Sequence, residues 1–346
     1  MKNCNSWCRP AALTSPGRPW YGPGVAAPGD DSMTTVARDF RLFARREARG
    51  RSAAYESLAE SAAGDAVVTG FVASLPADRR QPNLLFAAAR YLAGETPGLG
   101  QLRELATRSR AELEEVMRTR RVQTNEPARC AVLLPVLSQL PQPLALIEVG
   151  ASAGLTLLFD RYSYDYAGHR VTGSDPHAPT LYCQPRGPVP LPSRVPAITW
   201  RAGLDLNPLR VTDDDDVRWL SCLVWPEESD RAERLAAAIA VARRDPPAVH
   251  RGDLVTGLPA LAAGAPPGVT LVVYHCSVLY QVPPQGRERF AAALRDLGAS
   301  WLSAEGPGIL PGTDAPAVDD QMYVLARDGH PVATADSHGT WVHWPT

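Results

Sequence analysis

The 346 residues leave room for one large domain or two ordinary ones, and a hydrophobic content of 45% suits a soluble globular core. A net charge of -2 gives no electrostatic case for nucleic acid or an anionic membrane as partner. No apolar run reaches the roughly 20 residues of a membrane span, and six scattered cysteines lack zinc-type spacing, so no metal site is indicated.

Residues 1–32 contain Pro, Gly, Cys4 and Cys8 but no apolar core of a secretory signal. They read as a disordered tail or an over-extended start, with Met33 the candidate initiator. Reduced cysteines and a cytoplasmic location are the expectation.

Helical patterning comes first along the chain. Phe40, Phe43 and Ala44 open an amphipathic pattern, and Leu84, Leu85, Ala88 and Tyr91 continue one at helical spacing. Pro76 and the Pro97-Gly98 pair punctuate it, and residues 102–118 read as one further helix. No strand is predicted before Leu144, so residues 33–138 read as a helical N-terminal cap. Its last part is a polar run, Gln123-Thr124-Asn125-Glu126-Pro127-Ala-Arg129. Thr124 or Asn125 would cap a helix over residues 130–140, with Pro127 in its first turn. Because this run leads straight into the first strand, Gln123, Asn125, Glu126 and Arg129 are candidate substrate contacts. Capping plus solvated charge is the plainer alternative.

The stretch that organises the rest is Leu144-Ala-Leu-Ile-Glu148-Val-Gly150-Ala151-Ser152-Ala-Gly154. A short apolar run between Pro143 and Gly150 predicts a buried parallel strand, and residues 153–160 look helical. The glycines would then sit on a strand-to-helix turn, where backbone can approach a ligand and helix N–H groups are unpaired. Glu148 is the one acid in the strand, and burial requires that something hydrogen-bond to it. Three readings stay open at this point. The letters fit a cofactor-binding glycine turn of the E-x-G-x-S-x-G type. They also spell G-x-S-x-G, the nucleophile elbow of serine hydrolases, for which a triad of Ser152, Asp253 and His275 can be written. A tight turn without a ligand is the third.

Residues 161–196 are Pro-rich, with alternating Tyr162, Tyr164 and Tyr166, and look like a hairpin-containing insertion. A second strand follows over residues 197–205, ending in Gly203-Leu-Asp205, where an acid commonly accepts both ribose hydroxyls. Asp213 to Asp216 suit a helix start. Residues 248–254 give a third strand leaving through Gly252-Asp253-Leu254. Residues 269–280 give a fourth whose carboxyl end carries His275, Ser277 and Tyr280, with neutral histidine either a general base or a satisfied core residue. Residues 300–305 form a fifth, ending in Glu305. Residues 321–326 and 339–344 would be terminal antiparallel strands.

This serial order resembles the class I S-adenosylmethionine (SAM) methyltransferases, and it covers residues 139–346. The resemblance implies an α/β fold with a Rossmann-like, mostly parallel sheet and helices on both faces, preceded by the helical cap. It implies SAM as cofactor, with Glu148, Gly150, Ala151, Ser152 and Gly154 at its methionine part, Asp205 on the ribose, and Asp253 with Leu254 at the adenine. His275 and Ser277 would lie at the cofactor's edge. His275 and Tyr280 would serve catalysis, with Glu305 beside residues 123–129 as a substrate contact. A small-molecule acceptor is expected. A hydrolase elbow normally follows several strands and an oxyanion segment, which are missing here, and Leu155 is bulky for one. It remains the runner-up, beside a non-catalytic SAM- or nucleotide-binding protein. The chain also resembles an uncharacterised bacterial family of unknown function, through Gln123-Thr-Asn-Glu126, Glu148 to Leu155, Gly203 to Pro208, Trp225-Pro-Glu227, Gly252-Asp253 and the His275…Ser277 strand end.

Overall fold

The computed structural model describes residues 32–314 and 322–346. The expected tail lies outside the described residues except for Ser32, and so do Cys4 and Cys8.

The N-terminal region is helical: α1 (Ser32–Phe43), α2 (Ala53–Ala63), α3 (Ala66–Ala73), α4 (Pro82–Ala93), α5 (Leu99–Thr107) and α6 (Arg110–Thr119). Ser52 and Asp65 cap α2 and α3 by accepting backbone N–H groups of the first turn. Phe40, Phe43, Tyr55 and Phe86 form an aromatic core that extends to Trp225, whose ring lies 5.5 Å from Phe43 and 5.7 Å from Tyr55. The single helix expected over residues 102–118 is in fact two. α5 packs on α3 while α6 packs on α4, and the break at Arg108 and Ser109 lets Leu102 and Leu113 both reach the core. α7 (Arg129–Leu137) is buried along its whole length and leads into the first strand.

Among the described residues twelve strands follow: β1 (Leu144–Val149), β2 (Ser163–Tyr166), β3 (His169–Val171), β4 (Thr180–Tyr182), β5 (Gln184–Arg186), β6 (Ile198–Asp205), β7 (Val249–Arg251), β8 (Thr270–Cys276), β9 (Ser300–Glu305), β10 (Met322–Arg327), β11 (His330–Asp336) and β12 (Trp341–His343). Nine of them form one mostly parallel sheet, in the order β5-β12-β11-β10-β9-β8-β1-β6-β7. From β7 to β9 every pairing is parallel; β10, β11 and β12 join antiparallel. β1 is an interior strand, buried at all six positions, as its nearly all-apolar run requires. Its side chains alternate between two cores. Leu144 and Leu146 face the side shared with the N-terminal helices, α7, α8 (Asp214–Cys222) and α9 (Ser229–Arg244). Ile147 and Val149 face the side of α10 (Leu258–Ala262) and α11 (Pro284–Leu297). Among the described residues no helix is long and apolar enough to cross a membrane.

The chain leaves β1 for β6 on one side, while β8 pairs on the other. Strand order therefore reverses at β1, and the crevice beyond the carboxyl ends of β1 and β8 is where open α/β sheets bind ligands. β11 runs parallel to β9 after two reversals, so its carboxyl end at Asp336 lies on the same edge.

The helix expected after the glycine turn is not formed. Only a single 3-10 turn, Leu155–Leu157, separates Gly154 from the insertion. Arg201 of β6 takes over the anchoring: its guanidinium donates to both carboxylate oxygens of Asp160, at 2.7 and 2.9 Å, and to the Leu157 carbonyl. The insertion is more than a surface hairpin. β2, β3 and β4 make a small separate sheet, and Tyr162, Tyr164 and Tyr166 are buried with their hydroxyls donating to the carbonyls of Leu155, Phe159 and Ala131. β5 then leaves the insertion to pair with β12 at the main sheet's edge.

Gly339 closes the β11–β12 turn at φ +84°, and a Cβ there would lie 2.2 Å from the Ala128 carbonyl oxygen. Gly329, at φ +81°, has open space instead. Both substitutions to alanine strain the backbone, so urea unfolding of Gly339→Ala should show a loss exceeding that of Gly329→Ala by about 1–3 kcal/mol. Equal losses would mean that the turn does not rest on Ala128.

Candidate functional site

The glycine turn is built from left-handed residues at alternate positions, with φ of 72° at Gly150, 53° at Ser152 and 73° at Gly154. The N–H groups of Gly150 and Ala151 both donate to the Leu204 carbonyl, at 2.8 and 3.3 Å. Ser152 N–H donates to Asp205 Oδ2 at 2.8 Å, and Leu155 N–H to Asn125 Oδ1 at 2.9 Å. Asp205 Oδ1 in turn accepts the Asn207 N–H at 2.7 Å and the Gln123 amide at 3.2 Å. The Ser152 hydroxyl donates to the Gln123 carbonyl at 3.2 Å. Thus Gln123, Asn125, Ser152 and Asp205 are brought together, as a network that closes the turn without a helix. Asn125 is used here and not as a cap; α7 begins at Arg129, and Ala128 before it makes no side-chain cap. Ala151 is a core residue whose Cβ faces Gly203 of β6, where an added Cβ would sit only 2.6 Å away.

The two ends of this turn have different surroundings. Over Gly150 lies Val278: a Cβ on Gly150 would be 2.3 Å from Val278 Cγ2. At the other end Leu206 is 70% exposed, next to the acid that ends β6. Arg251 holds the Leu206 carbonyl at 2.8 Å. Asp253 is exposed and its Oδ1 accepts the N–H groups of Val255 and Thr256, while Leu254 packs toward the α10–α11 core. Leu206 was not among the residues expected from sequence. The available signal was an apolar residue between Asp205 and Asn207, immediately past a buried strand.

Glu148 lies beneath the turn, and its expected partner is the Thr156 hydroxyl, which donates to Oε1. Tyr274 closes the other side by donating to the Thr156 carbonyl at 3.1 Å. Glu148 Oε2 has no hydrogen-bond partner among the described residues. Burial, opposed by Thr156 and Arg129, pushes this carboxyl up to about 8, so it is largely protonated at neutral pH.

His275 is not placed for catalysis. It is fully buried; its Nδ1–H donates to Glu305 Oε1 at 2.8 Å, and its Nε2 accepts the Trp301 indole N–H at 3.0 Å. With both ring nitrogens engaged and Phe290 packed edge-on, it has no route to a substrate proton. Glu305 also accepts the backbone N–H groups of Val278 and Leu279 on Oε1, at 2.8 and 2.9 Å, which makes it the anchor of the loop after β8; its Oε2 has no hydrogen-bond partner among the described residues. Tyr280 is half-buried on that loop. Ser277, at φ 57°, meets the Tyr323 hydroxyl. Ser152, Asp253 and His275 each bond elsewhere, so the hydrolase triad is not assembled.

Glu126 and Arg129 belong to a second assembly on the same sheet edge. Glu126 is 3% exposed and accepts from Arg231 at 2.8 Å, Arg234 at 2.7 Å and the Ala128 N–H at 3.1 Å. Burial raises its carboxyl, but the two arginines outweigh burial and hold it below the ordinary range. Arg129 donates to the Ser337 carbonyl at 3.0 Å, and its guanidinium lies 5.7 Å from the Tyr323 ring. Glu227 accepts the Ser52 hydroxyl and the Ala54 N–H, fixing the Trp225-Pro-Glu227 segment to the N-terminal helices.

Residues 37–344 match the family model described as an uncharacterized protein conserved in bacteria, DUF2332. The chain belongs to that family. No curated protein and no solved structure matches it. In this DUF2332 chain the polar motifs therefore have two destinations: the glycine turn, and the seam between the helical region and the sheet edge.

Because the Glu148 carboxyl is raised from 4.5 to about 8, the folded state favours the neutral acid. Its stability cost is absent at low pH and grows as pH rises from 4.5 to 8, then levels off. Across that window Glu148→Gln should gain on wild type by up to about 1.4 kcal/mol per pH unit in denaturant titrations. A pH-independent difference would place the titration elsewhere.

Proposed function

We propose that this protein binds SAM and is methyltransferase-like, acting on a small molecule, with the cofactor's adenosine half at the carboxyl ends of β6 and β7. The observation that carries the reading is Asp205 with Leu206, at the carboxyl end of β6, the strand beside β1. The Asp205 carboxylate is fixed by three donors, two on Oδ1 and one on Oδ2. That leaves Oδ2 an acceptor position for a ribose hydroxyl. Leu206 offers a purine face the apolar surface that water otherwise covers. Asp253 and Leu254 stand at the adenine side.

The methionine half fits less well, because Val278 covers Gly150. Admitting it requires residues 278–281 to withdraw. When bound, SAM would supply an electrophilic methyl group, and the chain's part would be to bind and orient it. The imidazole of His275 is not available to take a proton, since both of its nitrogens are bonded. That last point favours the second reading, a protein that binds the cofactor or another adenosine-bearing ligand without turnover.

Calorimetry with SAM, S-adenosylhomocysteine and adenosine on the full chain tests both. Leu206→Ser, which disturbs no core contact, should weaken adenosine-bearing ligands about tenfold and leave thermal stability unchanged. If none of the three ligands binds wild type, the cofactor reading is lost. Binding without label transfer from methyl-labelled SAM to any acceptor in a broad small-molecule panel would select the second reading over the first.

A further inference from the structure

The seam around Glu126 contains a donor with nothing to donate to. His338 lies in the turn after β11, where Asp336 Oδ2 accepts the N–H groups of His338 and Thr340, at 3.1 and 3.0 Å. Its Nε2 lies 3.1 Å from Arg51 Nη2. A guanidinium only donates, so Nε2 is the accepting nitrogen and the ring proton sits on Nδ1. Nδ1 is buried and has no hydrogen-bond partner among the described residues. A buried N–H without an acceptor is costly, and such orphans mark an acceptor that the protein itself does not supply.

The surroundings say what kind of acceptor. Arg51, Arg129, Arg231 and Arg234 all act electrostatically on His338 and, after burial, hold its pKa well below 6.5, so the ring stays neutral. Arg51 stacks 4.4 Å over Trp225 and pairs with Glu228 at 2.9 Å; Arg231 bridges Glu228 and Glu126; Arg234 pairs with Glu126. Four guanidinium charges thus face two carboxylates in direct contact, Glu126 and Glu228. Asp336 lies in the turn of His338 itself, and Glu47 beside Arg51 is raised to about 7 by burial, so near neutral pH the two reduce the excess without cancelling it. Glu227 is turned toward Ser52 and the start of α2.

We propose that the seam is an anion site in which His338 Nδ1–H and the guanidinium groups of Arg51, Arg129, Arg231 and Arg234 receive the phosphoryl group of a small ligand. The remaining positive charge suits an anion, and planar guanidinium forks match phosphoryl oxygens. The site does not depend on the SAM reading, because none of these side chains bonds Asp205 or Leu206.

Titration of the full chain with inorganic phosphate, and separately with acetate, at constant ionic strength set by chloride, tests this. The probe is the His338 imidazole signal, assigned by its loss in His338→Phe. Phosphate should move that signal saturably and raise the melting temperature, and His338→Phe and Arg51→Gln should each weaken phosphate about tenfold or more. The surface variant Arg244→Gln should leave phosphate binding intact. Acetate binding as tightly as phosphate would overturn the phosphoryl assignment. Absence of any shift at His338 with either anion overturns the site, and this readout on wild type holds even if a variant fails to fold.

Discussion

One buried carboxylate carries much of this architecture. Glu126 precedes α7, yet it accepts two guanidinium groups from α9 and the N–H of Ala128. Removing it would leave Arg231 and Arg234 facing each other in a poorly solvated seam, and breaking one side of such a buried arrangement typically costs about 3–5 kcal/mol. Through Arg231 the same group reaches Glu228, then Arg51 of the helical region, and through Arg51 the turn after β11. Four distant stretches of chain therefore meet on one charge network. The N-terminal helices are held over the sheet edge by paired charge as well as by the aromatic packing on Trp225.

A second network performs the corresponding task at the glycine turn. In many strand–turn–helix units the helix that follows fixes the turn. Here the helix is missing, and Asp205, Gln123 and Asn125 absorb the N–H groups that it would have organised. The price is chemical freedom: most of the polar atoms that sequence reasoning assigned to a ligand are already bonded within the chain. What stays open is at the edge, on Leu206, Asp253 and the remaining face of the Asp205 carboxylate.

The parallel strands β1 and β8 were legible because each is a short apolar run closed by a polar or glycine signal, and β1 and β9 occupy the residues expected. The acids at the ends of β6 and β9 were legible too, though only their positions and not their partners. Glu305 illustrates the limit. A strand-end acid beside a strand-end histidine reads as chemistry, yet a tryptophan on the same strand, Trp301, blocks the other nitrogen, and no local pattern shows that. The helix after Gly154 was misjudged because residues 153–160 have helical composition, while the tertiary clamp from Arg201 and the tyrosine-bearing strands overrides it. β11 was hidden by Pro331 and by its two exposed leading positions, and β5 by Pro185. His338 carried no sequence signal: its meaning depends on Arg51, nearly the whole chain away.

The nine-stranded sheet ends at each side in a strand of three residues, β5 with the sequence Gln-Pro-Arg and β7 with Val-His-Arg. Edge strands are where sheets recruit further chains, since their outer N–H and C=O groups are unpaired. Pro185 withholds one donor from that ladder, each edge strand carries an arginine, and the Pro246-Pro247 pair precedes β7. A neighbouring molecule is left with too short a template to extend, so a wide and strongly apolar sheet is protected against sheet-to-sheet self-association by the brevity of its two outermost strands.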